Sequence, residues 1–309
     1  MQEVNKRPGD LDYETDLVEL FYLLIKEKRA IISITVFISL IAVIYSLLLP
    51  NIYQSKAKLA PVNVSIASSS LQKYSGLAGL AGVNIPSDGE ENNSAQAMIK
   101  IKSLSFFENN VLPNIFLPDL MAIESWDHET NIIKYDKKEY IKNSKKWVRK
   151  FSYPQKQIPS SQESFERFND FHLTLSEDDL TGFITLSVKH QSPLIAKQWT
   201  ELIINEINNF YRQKDKISAQ KAINFLNQQI ASTNLSEIKL SIVSLLQEEV
   251  QKLTLVEANE FYVYEYIDPP AIMEEKSEPA RALICILAAL LGGIFSIIFV
   301  IVKSYFYRD

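Results

Sequence analysis

Two uncharged apolar stretches, one near each end of the sequence, limit the folds open to this chain of 309 residues. Residues 30–49 and residues 282–302 contain no Asp, Glu, Lys or Arg. A helix of ~20 residues crosses the ~30 Å hydrocarbon core of a bilayer. Both stretches are therefore predicted to be transmembrane helices, with a water-soluble domain between them.

Basic residues beside the two stretches predict the orientation in the membrane. Lys26, Lys28 and Arg29 precede the first stretch, and Lys303 and Arg308 follow the second. Basic residues next to a span favour the cytoplasmic side. Both termini are therefore predicted to be cytoplasmic, and two spans place the intervening domain on the opposite side.

These boundaries predict five segments. They are a cytoplasmic N-terminal segment at 1–29, a first span at 30–49, a domain outside the cytoplasm at 50–281, which is periplasmic if the cell is Gram-negative, a second span at 282–302 and a cytoplasmic tail at 303–309. A cleaved signal peptide is the alternative for the first stretch, but its apolar region is ~7–15 residues long and small residues follow it. Here the apolar stretch has full membrane length and is followed by Pro50 and Asn51.

Small side chains in the second stretch predict close helix packing. Ala288, Gly292 and Ser296 recur every four residues, and Gly293 lies with Ala289 on the neighbouring strip. Hydrophobicity cannot drive association within lipid, whereas small residues favour it by letting two helices approach closely. The partner helix can be the first span, a neighbouring protomer or another protein.

Alternation of apolar and polar residues predicts the strands of the domain. Candidate strands lie at 53–64, 171–175, 183–190 and 261–267, and a Ser-, Gly- and Asn-rich loop is predicted at 68–93. The second and third strands flank a short turn and should form a hairpin. The first and last strands adjoin the two membrane stretches and should pair, because the chain must return to the membrane where it left.

Helical spacing of apolar residues predicts the remaining elements. Helices are predicted at 95–112, 134–151, 193–230 and from Asn234 or Ser236 to residue 257. The third would be ~57 Å long, which exceeds an ordinary globular helix. The predicted fold class is therefore α+β, with an α+β base and a long helical extension at about 193–257.

The long predicted helix carries an apolar face that includes Trp199, Ile203, Ile207 and Phe210. A helix of this length either projects from its domain or packs beside copies of itself. These four residues are therefore candidates for assembly, and burial in the core of one protomer is the alternative role.

A basic segment lies at residues 134–151, which contain eight basic and two acidic side chains. Lys137, Lys138, Lys145 and Lys146 are candidates for binding an anionic ligand, such as a pyrophosphate-linked glycan or anionic lipid headgroups. A solvated surface without a ligand is the alternative.

The residues that usually carry chemistry do not form a recognisable motif. His128, His172 and His190 are scattered, and the one cysteine, Cys285, lies in the second apolar stretch. Metal-binding spacings and the GxSxG nucleophile motif are missing from the sequence. A net charge of -5 argues against a general nucleic-acid binder. The sequence therefore predicts no catalytic residue, no cofactor and no metal.

Residues 13–59 resemble the amino-terminal signature of Wzz-type chain-length determinants, also called polysaccharide co-polymerases. The pattern is an acidic and apolar helix, a span, Pro50 and Tyr53 in a P-x-x-Y arrangement, and a strand. Residues 181–212 and 225–270 and the LLGG at 290–293 are similar to the family in the same order. Each piece is weakly specific alone, and their order makes the resemblance specific.

The resemblance implies a homo-oligomer of the bacterial inner membrane that is not an enzyme. It implies a role in setting the chain length of O-antigen lipopolysaccharide, with a Wzy-type polymerase and lipid-linked glycan as partners. It also implies a motif position at Pro279, beside the second span. Related members of capsule systems carry a cytoplasmic tyrosine kinase, for which the segment after Val302 is too short.

Two other functions stay open at this point. A two-span periplasmic sensor or adaptor protein would need a partner or a ligand but no catalytic residue. A membrane-tethered glycan hydrolase would need two carboxylates at catalytic separation in a cleft.

Overall fold

The computed structural model describes residues 21–62 and 93–306. The chain divides into two compact units, one made of residues 1–51 with 276–309 and the other of Ile52–Glu275. The predicted loop at 68–92, most of the predicted segment 1–29 and the last residues of the predicted tail lie outside the described residues.

The first unit contains two helices that are long and apolar enough to cross a membrane. The first apolar helix is Lys28–Leu48 and the second apolar helix is Arg281–Phe306, and the two pack along each other. The first ends before Pro50, where Leu49 is already extended at ψ 137° because a residue before proline disfavours the helical region. Most of their side chains are exposed, as expected of helices that contact lipid.

The second unit is an α+β domain. Its described strands are β1 Tyr53–Pro61, β2 Ile123–Asp127, β3 Ile132–Tyr135, β4 Tyr140–Ile141, β5 Lys146–Trp147, β6 Leu173–Glu177, β7 Ile184–His190 and β8 Tyr264–Asp268. Its described α-helices are α1 Asn93–Ile101, α2 Leu104–Phe106, α3 Leu117–Met121, α4 Ser161–Arg167, α5 Pro193–Ser232 and α6 Ser236–Ala258. Two π-helical turns, Phe107–Val111 and Phe168–His172, extend α2 and α4.

The predicted sheet pairings are confirmed. In the described part of the domain, an antiparallel sheet has the order β6-β7-β1-β8, so β6 and β7 form a hairpin and β1 pairs with β8. Side chains of β1 alternate between the two faces of the sheet, so Ala57 and Leu59 are buried whereas Lys56 and Lys58 are exposed. The buried face packs against α5 and forms the core of the domain.

The predicted long helix is also confirmed. α5 has 40 residues, begins with Pro193 and is therefore ~60 Å long. α6 follows after three residues and packs against α5, so the two form a helical hairpin. Lys216 of α5 and Glu257 of α6 form an ion pair near the end that joins the sheet.

The prediction of a helix at 134–151 is wrong, because this segment contains the end of β3 and the short strands β4 and β5. Lysine has good helix propensity, but tertiary packing overrides propensity. Tyr140 is only 4% exposed, and its ring lies 5.6 Å from Tyr135, 6.1 Å from Phe116 and 5.2 Å from Trp147. This aromatic cluster forms a second small core, which needs the extended chain.

The prediction of one continuous helix at 95–112 is wrong, because the segment is interrupted after Ile101. α1 ends at Ile101, and Ser103 then caps α2 by accepting a hydrogen bond from the Phe106 N–H group at 3.2 Å. Serine favours such caps over helix interiors because its hydroxyl competes for backbone groups.

One buried side chain, Asn208, joins α5 to the start of β8. Its Oδ1 accepts hydrogen bonds from the backbone N–H groups of Tyr262, Val263 and Tyr264, at 3.3, 2.7 and 3.0 Å. Its Nδ2 donates to the Tyr264 carbonyl at 3.1 Å. Arg212, one turn further along α5, donates to the carbonyl oxygens of residues 259 and 260. The segment that enters β8 is therefore held by α5 through its backbone.

We expect Asn208→Ala to lower the free energy of unfolding by about 3 kcal/mol or more, because several buried backbone groups lose their partners. Asn205→Ala is the matched control, since Asn205 is an exposed residue of the same helix. Urea unfolding of the detergent-purified protein, followed by tryptophan fluorescence, measures both variants. Equal stability of the two variants would contradict the role assigned to Asn208.

Candidate functional site

The two apolar helices of the first unit meet through small and polar side chains. A Cβ atom placed on Gly292 would lie 3.2 Å from Cγ2 of Ile38, which is tighter than an ordinary contact. One turn further on, the hydroxyl oxygens of Ser296 and Thr35 are 3.2 Å apart, and Ser296 is fully buried. Among the alternatives for the small-residue row, the first apolar helix of the same chain therefore contacts it.

The other predicted residues of this group differ in position. A Cβ atom on Gly293 would meet nothing within 4 Å. Ala288 is half-buried in the second apolar helix. Pro279 precedes that helix, and its carbonyl accepts a hydrogen bond from the Arg281 N–H group at 2.9 Å. Gly292 and Ser296 are thus the members that the structure places in the contact between the helices.

Arg281 also joins the two helices, which the sequence analysis missed. Its guanidinium donates to the carbonyl oxygens of Ser46 and Leu49, at 3.1 and 3.4 Å, and to Oδ1 of Asn51 at 3.0 Å. The last carbonyl groups of a helix lack partners within the helix and attract cations. The signal available in the sequence was an arginine directly before the second apolar stretch.

We expect Gly292→Leu to separate the two apolar helices, because the added side chain would collide with Ile38. Thr35→Cys and Ser296→Cys, introduced together with Cys285→Ser, report the contact through disulfide formation within one chain. Gly293→Leu is the matched control because its Cβ position is open. Crosslinking should fall with Gly292→Leu and persist with Gly293→Leu, and equal crosslinking in both would contradict the packing.

The candidate assembly residues of α5 lie largely inside the domain. Ile203 and Ile207 are fully buried and Trp199 is 4% exposed. Phe210 is partly buried, with its ring 6.3 Å from that of Phe106 and 4.8 Å from the ammonium group of Lys100. All four contribute to the core of the domain in this structure.

The helical hairpin exposes apolar side chains beyond the core. At the start of α6 and along it, Leu235 and Ile238 are 65% and 48% exposed, and Leu245 is 52% exposed. With half-buried Ile242 they follow a spacing of three and four residues, so they form one strip. This α6 strip, residues 235, 238, 242 and 245, is an apolar surface without a partner in the described part of the chain.

The buried His190 and the half-buried His172 adjoin the start of α5. The ring centroids of His190 and His172 lie 5.0 and 5.6 Å from that of Trp199, and the two imidazoles are 5.9 Å apart. Phe168 stacks on His172 at 6.3 Å. The sequence separates these four residues widely, so their contact could not be predicted from spacing.

The contacts of His190 require a neutral ring. Its Nδ1 accepts a hydrogen bond from the Ser192 N–H group at 2.9 Å, and its Nε2–H group donates to the Asp119 carbonyl at 3.0 Å. Burial lowers the pKa of His190 to about 4. Burial, followed by repulsion from His190, lowers the pKa of His172 to about 3. Both rings are therefore structural members of the core at neutral pH.

We expect the domain to lose stability on acidification. The folded-state pKa values of about 3 and about 4 lie below the ordinary value of 6.5, so the unfolded chain binds protons that the folded chain excludes. Stability should be full above about pH 6.5. Each histidine should then lower the free energy of unfolding by about 1.4 kcal/mol per pH unit as the pH falls towards its folded-state pKa.

Urea unfolding at a series of pH values measures this slope. His190→Asn keeps an acceptor near Nδ1 and removes the titrating ring, so it should flatten the slope. His128→Asn is the control because His128 is exposed, and it should leave the slope unchanged. Parallel curves for the two variants would rule out His190 as a source of the pH dependence.

Three of the four candidate lysines lie on turns around β4 and β5, and Lys146 is the first residue of β5. Lys137, Lys138, Lys145 and Lys146 are all exposed. Among residues 21–62 and 93–306, no three His, Cys, Asp or Glu side chains come together as metal ligands. The candidate features described above are the helix pair, the α6 strip and the four exposed lysines around β4 and β5.

Residues 13–105 match the model of the protein family described as Wzz, chain length determinant protein. The match includes the amino-terminal segment, residues 13–59, whose sequence resembles this family. The matched segment contains the first apolar stretch, β1 and α1. No curated protein is similar enough in sequence to count as a match.

Solved structures similar to this chain include three polysaccharide co-polymerases or regulators. A full-length bacterial polysaccharide co-polymerase has 15% identity and a TM-score of 0.41, with 94% of this chain and 98% of that chain covered. A fragment of WzzB, a polysaccharide co-polymerase from Salmonella Typhimurium, has 13% identity, a TM-score of 0.30 and coverage of 74% and 100%. A mutant of the Shigella flexneri lipopolysaccharide O-antigen chain-length regulator has 11% identity, a TM-score of 0.25 and coverage of 73% and 100%.

Proposed function

We propose that this chain is a non-catalytic regulator of surface polysaccharide chain length in a bacterial inner membrane. The observation that carries the proposal is the match of residues 13–105 to the chain length determinant family. The polysaccharide is proposed to be the O-antigen of lipopolysaccharide. The enzyme that the chain regulates is proposed to be a Wzy-type polymerase of lipid-linked repeat units.

The two apolar helices support a membrane location. Each is long enough to span a bilayer, and Lys26, Lys28 and Arg29 precede the uncharged stretch 30–49 of the first. Basic residues beside a span favour the cytoplasm, so we propose cytoplasmic termini and a periplasmic α+β domain. Much of the helix surface is not used by the helix pair and is available to the polymerase.

The helical hairpin supports assembly into a homo-oligomer. The α6 strip exposes Leu235, Ile238 and Leu245, and exposed apolar strips of this kind favour protein contacts. The same strip occurs on each copy, so copies arranged side by side can bury it against a neighbour. An oligomer held in this way would act on the polymerase through geometry and not through a reaction.

We expect deletion of the gene to abolish the preferred length class of surface lipopolysaccharide while polymer is still made. The physical reason is that a regulator biases the release of the growing glycan, whereas the polymerase forms the bonds. Gel electrophoresis of surface lipopolysaccharide provides the measurement. Unchanged banding in the deletion strain would end the proposal.

The complemented deletion strain then tests the α6 strip. Ile238→Gln with Leu245→Gln should dissociate the oligomer and broaden the length distribution. Ser244→Gln with Thr254→Gln is the matched control, since both residues are exposed and polar on the same helix. Light scattering of the purified variants in detergent should show a smaller mass for the first pair alone. An unchanged mass and an unchanged length class would show that copies assemble through another surface.

A further inference from the structure

A lysine-rich hairpin in the α+β domain carries a charge opposite to that of the whole chain. This basic hairpin, residues 134–151, comprises the end of β3, the strands β4 and β5 and their flanking turns, and it contains eight basic and two acidic side chains. The chain as a whole has a net charge of -5. Strand pairing of Tyr140 with Trp147 and of Ile141 with Lys146 brings the basic residues together.

The charges that face solvent on this hairpin come from lysine. Arg149 is buried and forms an ion pair with Glu163, so it is not available to a ligand. Lys137, Lys138, Lys145, Lys146 and Lys150 are exposed, and none of them has an ion-pair partner among the described residues. The hairpin therefore presents several ammonium groups that are neutralised only by solvent and salt.

The basic hairpin also exposes apolar side chains between the lysines. Ile141 and Val148 are 40% and 38% exposed, Phe151 is 54% exposed, and Tyr153 just beyond the hairpin is 97% exposed. A surface that served only to keep the protein soluble would place polar residues at these positions. Ammonium groups interleaved with apolar side chains match the boundary between lipid headgroups and acyl chains.

We propose that the basic hairpin docks on the anionic headgroups of the membrane that carries the protein. Both ends of the domain continue into the apolar helices, so the domain is tethered to the bilayer that they cross. Tethering raises the effective concentration of headgroups, so that weak individual contacts suffice. This docking does not depend on the polysaccharide or on the polymerase.

The chemistry of the hairpin favours lipid over an acidic glycan. Recognition of a single phosphate or carboxylate is best served by the planar fork of arginine, and the one arginine of the hairpin is used internally. Lysine side chains act as flexible point charges that suit a diffuse layer of headgroups. A soluble glycan would not bury the exposed side chains of Ile141 and Val148, whereas the interfacial region of a bilayer can bury them.

A fluorescent label at the hairpin tip tests the docking in the full chain. Ser144→Cys, made together with Cys285→Ser, places the label in the exposed turn between β4 and β5. The labelled protein is reconstituted in nanodiscs of phosphatidylcholine alone or of phosphatidylcholine with phosphatidylglycerol. Spin-labelled lipids in the disc quench a label that lies in the interfacial region.

The expected result is quenching in the discs that contain phosphatidylglycerol and its loss at high salt. Lys137→Gln, Lys138→Gln, Lys145→Gln and Lys146→Gln together should abolish it. The matched control replaces the exposed residues Lys102, Lys214, Lys221 and Lys239 by Gln and should retain it. Circular dichroism of both variants verifies that each is folded.

Three results would overturn the proposal. One is equal quenching in the two kinds of disc, and another is equal loss of quenching in the two lysine variants. The third is protection of the label by a soluble acidic polysaccharide in discs of phosphatidylcholine alone, without quenching by anionic discs. That result would assign the basic hairpin to a glycan.

Discussion

The pairing of the first strand of the domain with its last, β1 with β8, is the contact on which the rest of the domain depends. After β8 the Ser55 hydroxyl donates to the Ala271 carbonyl at 2.8 Å, so the departing chain continues beside β1. β8 has one sheet neighbour in the described part of the chain, which leaves half of its backbone groups to other partners. Asn208 of α5 supplies such partners to Tyr264, the first residue of β8, and Arg212 holds the chain just before it. The sheet and the long helix are thereby fixed in one arrangement.

The sequence predicted the elements whose patterns are local. The alternation of β6 and β7 and the helical spacing over 193–230 need only neighbouring residues, and both predictions were confirmed. The segment 134–151 failed because its conformation depends on distant partners. Tyr140 packs against Phe116, which is 24 residues earlier in the chain. The sequence of residues 134–151 alone does not reveal this contact.

The candidate site was predictable only in outline. Two rows of small residues were visible in the second apolar stretch, but the rotation of the helix decides which row meets the first apolar helix, and it selects Gly292 over Gly293. Asn208, Arg281 and His190 bind backbone groups, whose positions follow from the fold and not from sequence spacing. Arg281 had a signal in its position directly before the second apolar stretch, whereas nothing in the sequence distinguishes Asn208 and His190 from solvated residues of the same types.

The α6 strip is apolar and the basic hairpin is charged, so the two surfaces favour different kinds of partner. Burial of Leu235, Ile238 and Leu245 would be driven by removal of apolar surface from water, which salt does not weaken. Attraction between exposed lysines and anionic headgroups is screened over ~8 Å at physiological ionic strength. The two proposals therefore predict that raising the ionic strength releases the basic hairpin from the membrane while copies stay assembled. A chain that combines both surfaces can hold its neighbours permanently and its membrane contact reversibly.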